Sequence, residues 1–214
     1  MQTTIQQHLE ALHRLQTLFF ESQGERLIHC AGLIAQAFQR GHKLMLMGNG
    51  GSAADAQHLA AEFVNRFLID RSPLPAMALS TDTSVITSIG NDFGFDRIFE
   101  KQIQALGLSG DILMAISTSG NSPNILRGLQ AAQEKGIQTL ALTGQDGGQM
   151  VQWSDYALIV PSTETPLIQE THIVIGHLLC QMVEAELFPG KSGKDFLPQT
   201  KAGSRLQRDD LPPP

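Results

Sequence analysis

The sequence predicts an α/β fold: a three-layer α/β/α sandwich with a central parallel sheet, preceded by N-terminal helices. Three observations predict it. Apolar runs such as KLMLMG (43–48), DILMAIS (111–117) and IQTLALT (137–143) are continuous rather than alternating, as in strands buried on both faces. Stretches with helical periodicity separate them, so strand and helix alternate along the chain. Glycine- and serine-rich loops follow two of the strands, at the carboxyl ends where ligands bind in open α/β sheets.

Taken in order, residues 3–40 read as two helices. Leu9, Leu12, Leu15, Leu18 and Phe19 form one apolar stripe, Ile28, Ala31, Ile34, Ala35 and Phe38 another, and Gly24 punctuates between them. The strand at 43–48 leads into a helix over Ala53–Phe67. PAMALS (75–80) gives a second strand, and Thr81–Ile89 and Phe95–Leu106 read as helices. The strand at 111–117 precedes a helix from Pro123 to Lys135; the strand at 137–143 precedes GQDGG. YALIVPS (156–162) supplies the last strand and Pro166–Phe188 the last helix. Residues 1–188 thus form one domain, with helices over 1–40 and the α/β core over 41–188. Residues 189–214, poor in core residues and ending in a triple proline, read as a mobile tail.

At 214 residues the chain is long enough to bury a full core. Its formal net charge of −6, with scattered Lys and Arg, argues against nucleic acid as a partner. No apolar run approaches membrane-span length, and the polar N-terminus lacks the apolar core of a signal peptide. Cys30 and Cys180 show neither metal nor redox spacing. As buried free thiols they suit a reducing cytoplasm.

The chemistry concentrates in GNGGSAADAQHLAAEF (48–63). Gly50 and Gly51 let backbone approach a ligand, and Ser52 adds a hydroxyl where a helix N-terminus presents free N–H groups to an anion. Alone this loop is weak support, since a tight strand–helix turn needs glycine for steric reasons. His58 and Glu62, at i and i+4, project together from one helix face. Arg66 lies a further turn along, to orient Glu62, contact substrate or merely form a helix ion pair. The loop STSGNSPN (117–124) carries Ser117, Thr118, Ser119 and Ser122. Ser122 alone would pass as an N-cap, yet four hydroxyls in six residues exceed what capping requires. A phosphate accounts for them better. The last helix carries Gln169, Glu170, His172 and His177 amid apolar residues, where polar groups are costly to bury without partners. If Gln169 and His177 hold one metal, eight residues of helix put about 12 Å of rise between them. The helix is then distorted or the two come from different subunits, and His172 is the easier partner for Gln169.

These stretches, with PAMALSTDTSVITSIGND, LTGQDGG and IQETHIVIGHLLC, resemble the phosphoheptose isomerase family of the sugar isomerase (SIS) domain superfamily. The resemblance covers about residues 1–188 and implies a flavodoxin-like SIS sandwich assembled as a homotetramer. It implies an aldose–ketose isomerase converting sedoheptulose 7-phosphate to D-glycero-D-manno-heptose 7-phosphate in the cytoplasm, feeding heptose into lipopolysaccharide-type surface polysaccharide. By position, the family's zinc ligands fall on His58, Glu62, Gln169 and His177, one Zn2+ per subunit. Substrate contacts fall on Asn49, Gly50, Gly51, Asn91, Asp92, Ser117, Thr118, Ser119, Ser122, Glu62 and Gln169. Ser52 and Arg66 join them from the residue reading above. Glu62 is the expected base, with His177 shuttling protons or holding the metal and entering the site from a neighbouring subunit. The family commonly has Arg where this chain has Leu167. Two alternatives are a non-catalytic relative, the DnaA initiator-associating protein, and a phosphosugar-sensing module. The first lacks counterparts of Glu62 and His177; the second leaves the polar cluster unexplained.

Overall fold

A computed structural model describes residues 1–190. The expected tail therefore lies, past Gly190, outside the described residues. Five parallel strands form one sheet: β1 (Leu44–Gly48), β2 (Ala76–Ala78), β3 (Ile112–Ser117), β4 (Gln138–Gly144) and β5 (Tyr156–Val160). Their order is β2-β1-β3-β4-β5. Six α-helices accompany them among the described residues: α1 (Gln2–Gln39), α2 (Gly51–Val64), α3 (Thr83–Phe93), α4 (Ile98–Leu106), α5 (Pro123–Glu134) and α6 (Thr165–Leu187). Short 3₁₀ turns at Phe95–Arg97 and Gly148–Trp153 complete the fold. The second turn falls where the sequence pattern shows only a glycine-rich loop.

Strand periodicity divides the core into two layers. Leu44 and Leu46 point into a cluster with α1, α2 and α6, while Met45 and Met47 point into one with α4 and α5. Because both faces are covered, β1 and β3 are buried at every position. The register, with Leu44 opposite Ile112 and Ile112 opposite Gln138, aligns the carboxyl ends of the central strands. β1 is flanked by β2 on one side and β3 on the other, so the loops after β1 and β3 diverge and leave a crevice.

The two N-terminal helices are one. α1 runs unbroken for 38 residues through Gly24. An interior glycine costs about 1 kcal/mol, which the packing on either side outweighs: Phe19, Leu27, Cys30, Ala31 and Ile34 are all buried. Polar anchors act at the same point. Gln23 Nε2 donates to the Ile159 carbonyl at 2.6 Å, and the Ile159 N–H returns a bond to Gln23 Oε1 at 3.0 Å. Edge strand β5 is thus satisfied by a side chain next to the glycine. Of the anticipated stripes, Leu9, Leu18 and Ile28 are exposed.

Candidate active site

The loops after β1 and β3 meet across the crevice. Asn49 and Asn124 exchange side-chain hydrogen bonds of 2.9 and 2.8 Å, locking the loops to one another. Each loop opens a helix with no side-chain cap: Gly50 is the N-cap of α2 and Ser122 that of α5. Two positive helix ends therefore face the same space. Gly51 lies beneath Gln169, whose amide would collide with a Cβ there. Gly120, at φ +64, is likewise obligatory, because a Cβ would strike the Gly147 carbonyl.

The hydroxyl loop is not spent on capping. Ser122 Oγ lies 3.4 Å from Ser117 Oγ rather than on a helix N–H. Ser119 Oγ accepts from the Asn121 N–H at 3.3 Å, while Asn121 Oδ1 accepts from the Gln149 N–H at 3.0 Å. The 3₁₀ turn at Gly148–Trp153 thereby braces the loop, with the Met150 N–H bonded to the Gly120 carbonyl. Ser52 is buried in the first turn of α2, and Thr118 is half-buried.

Beside these loops α2 and α6 run parallel. Gln169 sits at Gly51, Gly176 packs on Leu59, and Glu184 meets the backbone past the end of α2. This alignment puts His177 against His58, with Nε2 atoms 2.8 Å apart, one ring donating to the other. Glu62 Oε1 is 3.5 Å from His58 Nε2. Phe67 stacks on the His177 ring at 5.3 Å between centroids. Burial and the neighbouring His58 hold the His177 imidazole below its usual range, against the opposing pull of Glu62.

His58, Glu62 and His177 therefore gather within one chain. Entry of His177 into a neighbour's site is not required, and α6 is not distorted. Gln169 is the member left apart, two turns away at Gly51, because the parallel helices keep the spacing of the sequence. His172 is no rival ligand: it is fully buried and donates Nε2–H to the Thr143 carbonyl at 3.1 Å. As a donor set, two imidazoles and a carboxylate suit zinc. The two imidazoles stand at hydrogen-bond distance with Glu62 3.5 Å from His58, and no preassembled group of three such side chains around a metal position is present among the described residues.

Other expected contacts stand elsewhere. α2 ends at Val64, so exposed Arg66 lies outside the helix and not one turn beyond Glu62 on its face. Asn91 and Asp92 are exposed at the end of α3, where Asn91 Nδ2 donates to Asp92 Oδ1 at 2.8 Å. α3 packs on the opposite layer from α2 and α6. Leu167 is half-buried against the α1–α2–α6 cluster. Asn124, Phe67, Arg71 and Glu184 escape the sequence reading. The motif SPN contains Asn124, but its partner Asn49 is 75 residues away. No local signal pairs Arg71 with Glu184.

The SIS domain family matches residues 7–144. The chain is 55% identical over 175 residues to the phosphoheptose isomerase of Nitratidesulfovibrio vulgaris, covering 82% of this chain and 84% of the relative. To that of Aquifex aeolicus it is 54% identical over 166 residues, 78% of this chain and 87% of the relative. The solved phosphoheptose isomerase from Neisseria gonorrhoeae superposes with a TM-score of 0.82 at 41% identity, covering 86% of this chain and 98% of that one. Among the described residues no helix is long and apolar enough to cross a membrane.

Proposed function

We infer that this chain, which belongs to the phosphoheptose isomerase family of SIS-domain proteins, interconverts sedoheptulose 7-phosphate and D-glycero-D-manno-heptose 7-phosphate. The observation that carries the mechanism is the His58–Glu62–His177 cluster beside two uncapped helix N-termini in one crevice. Isomerisation moves a proton from C1 of the ketose to C2 of the aldose through an enediol, which needs a base and a partner for the oxygens. Glu62 takes the C1 proton and returns it at C2. His177, neutral through burial, moves the proton between O1 and O2. Ser117, Thr118, Ser119 and Ser122, with the α5 N-terminus, hold the phosphate. Binding energy remote from the reacting carbons then positions them. Asn49, Gly50, Gly51, Ser52 and Gln169 line the sugar's path between the loops.

A zinc ion would be held by His58, Glu62 and His177, two imidazoles and a carboxylate of the kind zinc takes; a carboxylate so held is a poorer base, so the metal-holding and proton-transfer roles of Glu62 compete. When bound, it supplies Lewis acidity at the carbonyl. The chain assembles as a homotetramer, a reading supported by exposed Ile5, Leu9 and Ile28 on α1 and exposed Phe93 and Phe95 beside Asn91 and Asp92. Asn91 and Asp92, exposed at the end of α3, are the remaining proposed substrate contacts. The buried free thiols of Cys30 and Cys180 favour a reducing, cytoplasmic setting.

The test is incubation with sedoheptulose 7-phosphate and with sedoheptulose, each with and without chelator, followed by identification of the product. Turnover of the phosphate ester alone, lost on chelation and restored by zinc, is the expected result. Equal turnover of the free sugar would overturn the phosphate anchor, full activity in chelator the zinc, and no turnover the reaction.

A further inference from the structure

We propose that Arg71 and Glu184 are positioning residues that hold Glu62 and His177 in register, an inference that rests on the isomerase reading above. The two side chains form an ion pair of 2.8 Å, with Arg71 fully buried and Glu184 nearly so. Taking two charges out of water is expensive, so such a pair is weak support for stability by itself. What these charges touch shows their role.

Arg71 caps the end of α2 at the catalytic residue itself. Its Nη2 donates to the Glu62 carbonyl at 2.9 Å and its Nη1 to the Phe63 carbonyl at 2.7 Å. Carbonyls in the last turn of a helix have no helical partner, and without one that turn frays. Glu184 accepts Arg71 Nε on Oε1, and it also takes the N–H groups of Phe67 and Leu68 at 3.0 and 2.9 Å. The segment from Asn65 to Arg71 is therefore tied at both ends to a single ion pair.

That segment carries Phe67, whose ring lies on His177 with 24° between planes. Glu184 is seven residues beyond His177, two turns along the same face of α6. One pair thus fixes the backbone of Glu62, the ring that confines His177, and the alignment of the two helices bearing them. A displacement of about 1 Å at reacting groups can cost on the order of 100-fold in rate.

Two conservative variants test this. Arg71→Lys keeps the charge but cannot serve Glu184, Glu62 and Phe63 at once. Phe67→Leu keeps an apolar side chain and the backbone ties but removes the stacked ring. Both are assayed with sedoheptulose 7-phosphate beside the wild-type chain and Glu62→Gln, below the melting temperature of each variant. The expected result is a fall in kcat of about ten-fold or more in both, with KM within about two-fold of wild type. Unchanged kcat in folded variants, or a loss confined to KM, would overturn the proposal. If Arg71→Lys does not fold, Phe67→Leu alone decides. Near-normal activity of Glu62→Gln would overturn the site reading itself. Its inactivity beside unchanged kcat in the two variants would overturn the positioning role only.

Discussion

His172 shows how burial sets chemistry at a single residue. It is fully buried, bonds the Thr143 carbonyl through Nε2, and burial lowers its pKa from 6.5 to about 4, only partly offset by that bond. Above the unfolded value both states are neutral and the group contributes nothing to pH dependence. Between about 6.5 and 4 the unfolded chain binds a proton that the folded chain refuses, so stability falls as pH falls. The limit is on the order of 3 kcal/mol. Urea unfolding between pH 7 and 5 should show this loss, and His172→Leu should flatten the slope; an unchanged slope would exclude His172 as its source. The same scale shows what could be read in advance. His58 and Glu62 were legible because one helix turn joins them. Asn49–Asn124 and Arg71–Glu184 were not, because their partners lie 75 and 113 residues apart and only the fold brings them together.

At the scale of elements, the strands were legible because continuous apolar runs bounded by glycine leave few alternatives. The continuity of α1 was not, because Gly24 looks like punctuation until Gln23 is seen bonded to β5. A Cβ at Gly24 would meet nothing within 4 Å. Gly24→Ala should therefore stabilise the fold by about 1 kcal/mol in chemical denaturation. Destabilisation would mean that the chain needs a break there. The parallel run of α2 and α6 was equally hidden. It explains why about 12 Å between Gln169 and His177 calls for no bent helix: the first sits at Gly51, where α2 begins, and the second at His58, two turns further on.

For the whole molecule, the strand order places both anion-seeking helix ends at the β1/β3 crevice, and the α2–α6 pair brings acid–base groups beside the α2 end of it. The proposed tetramer would cover exposed apolar side chains along α1. Light scattering should accordingly give the mass of four chains of 23.2 kDa each; the mass of one chain would contradict the assembly. The central claim is that Glu62 moves the proton between C1 and C2. It is tested most directly by the kcat of Glu62→Gln with sedoheptulose 7-phosphate, with substrate affinity measured by calorimetry on the same protein. The account predicts a fall in kcat of about 100- to 10,000-fold with affinity kept within a few-fold. A kcat within about ten-fold of wild type, short of the general-base range, would contradict it.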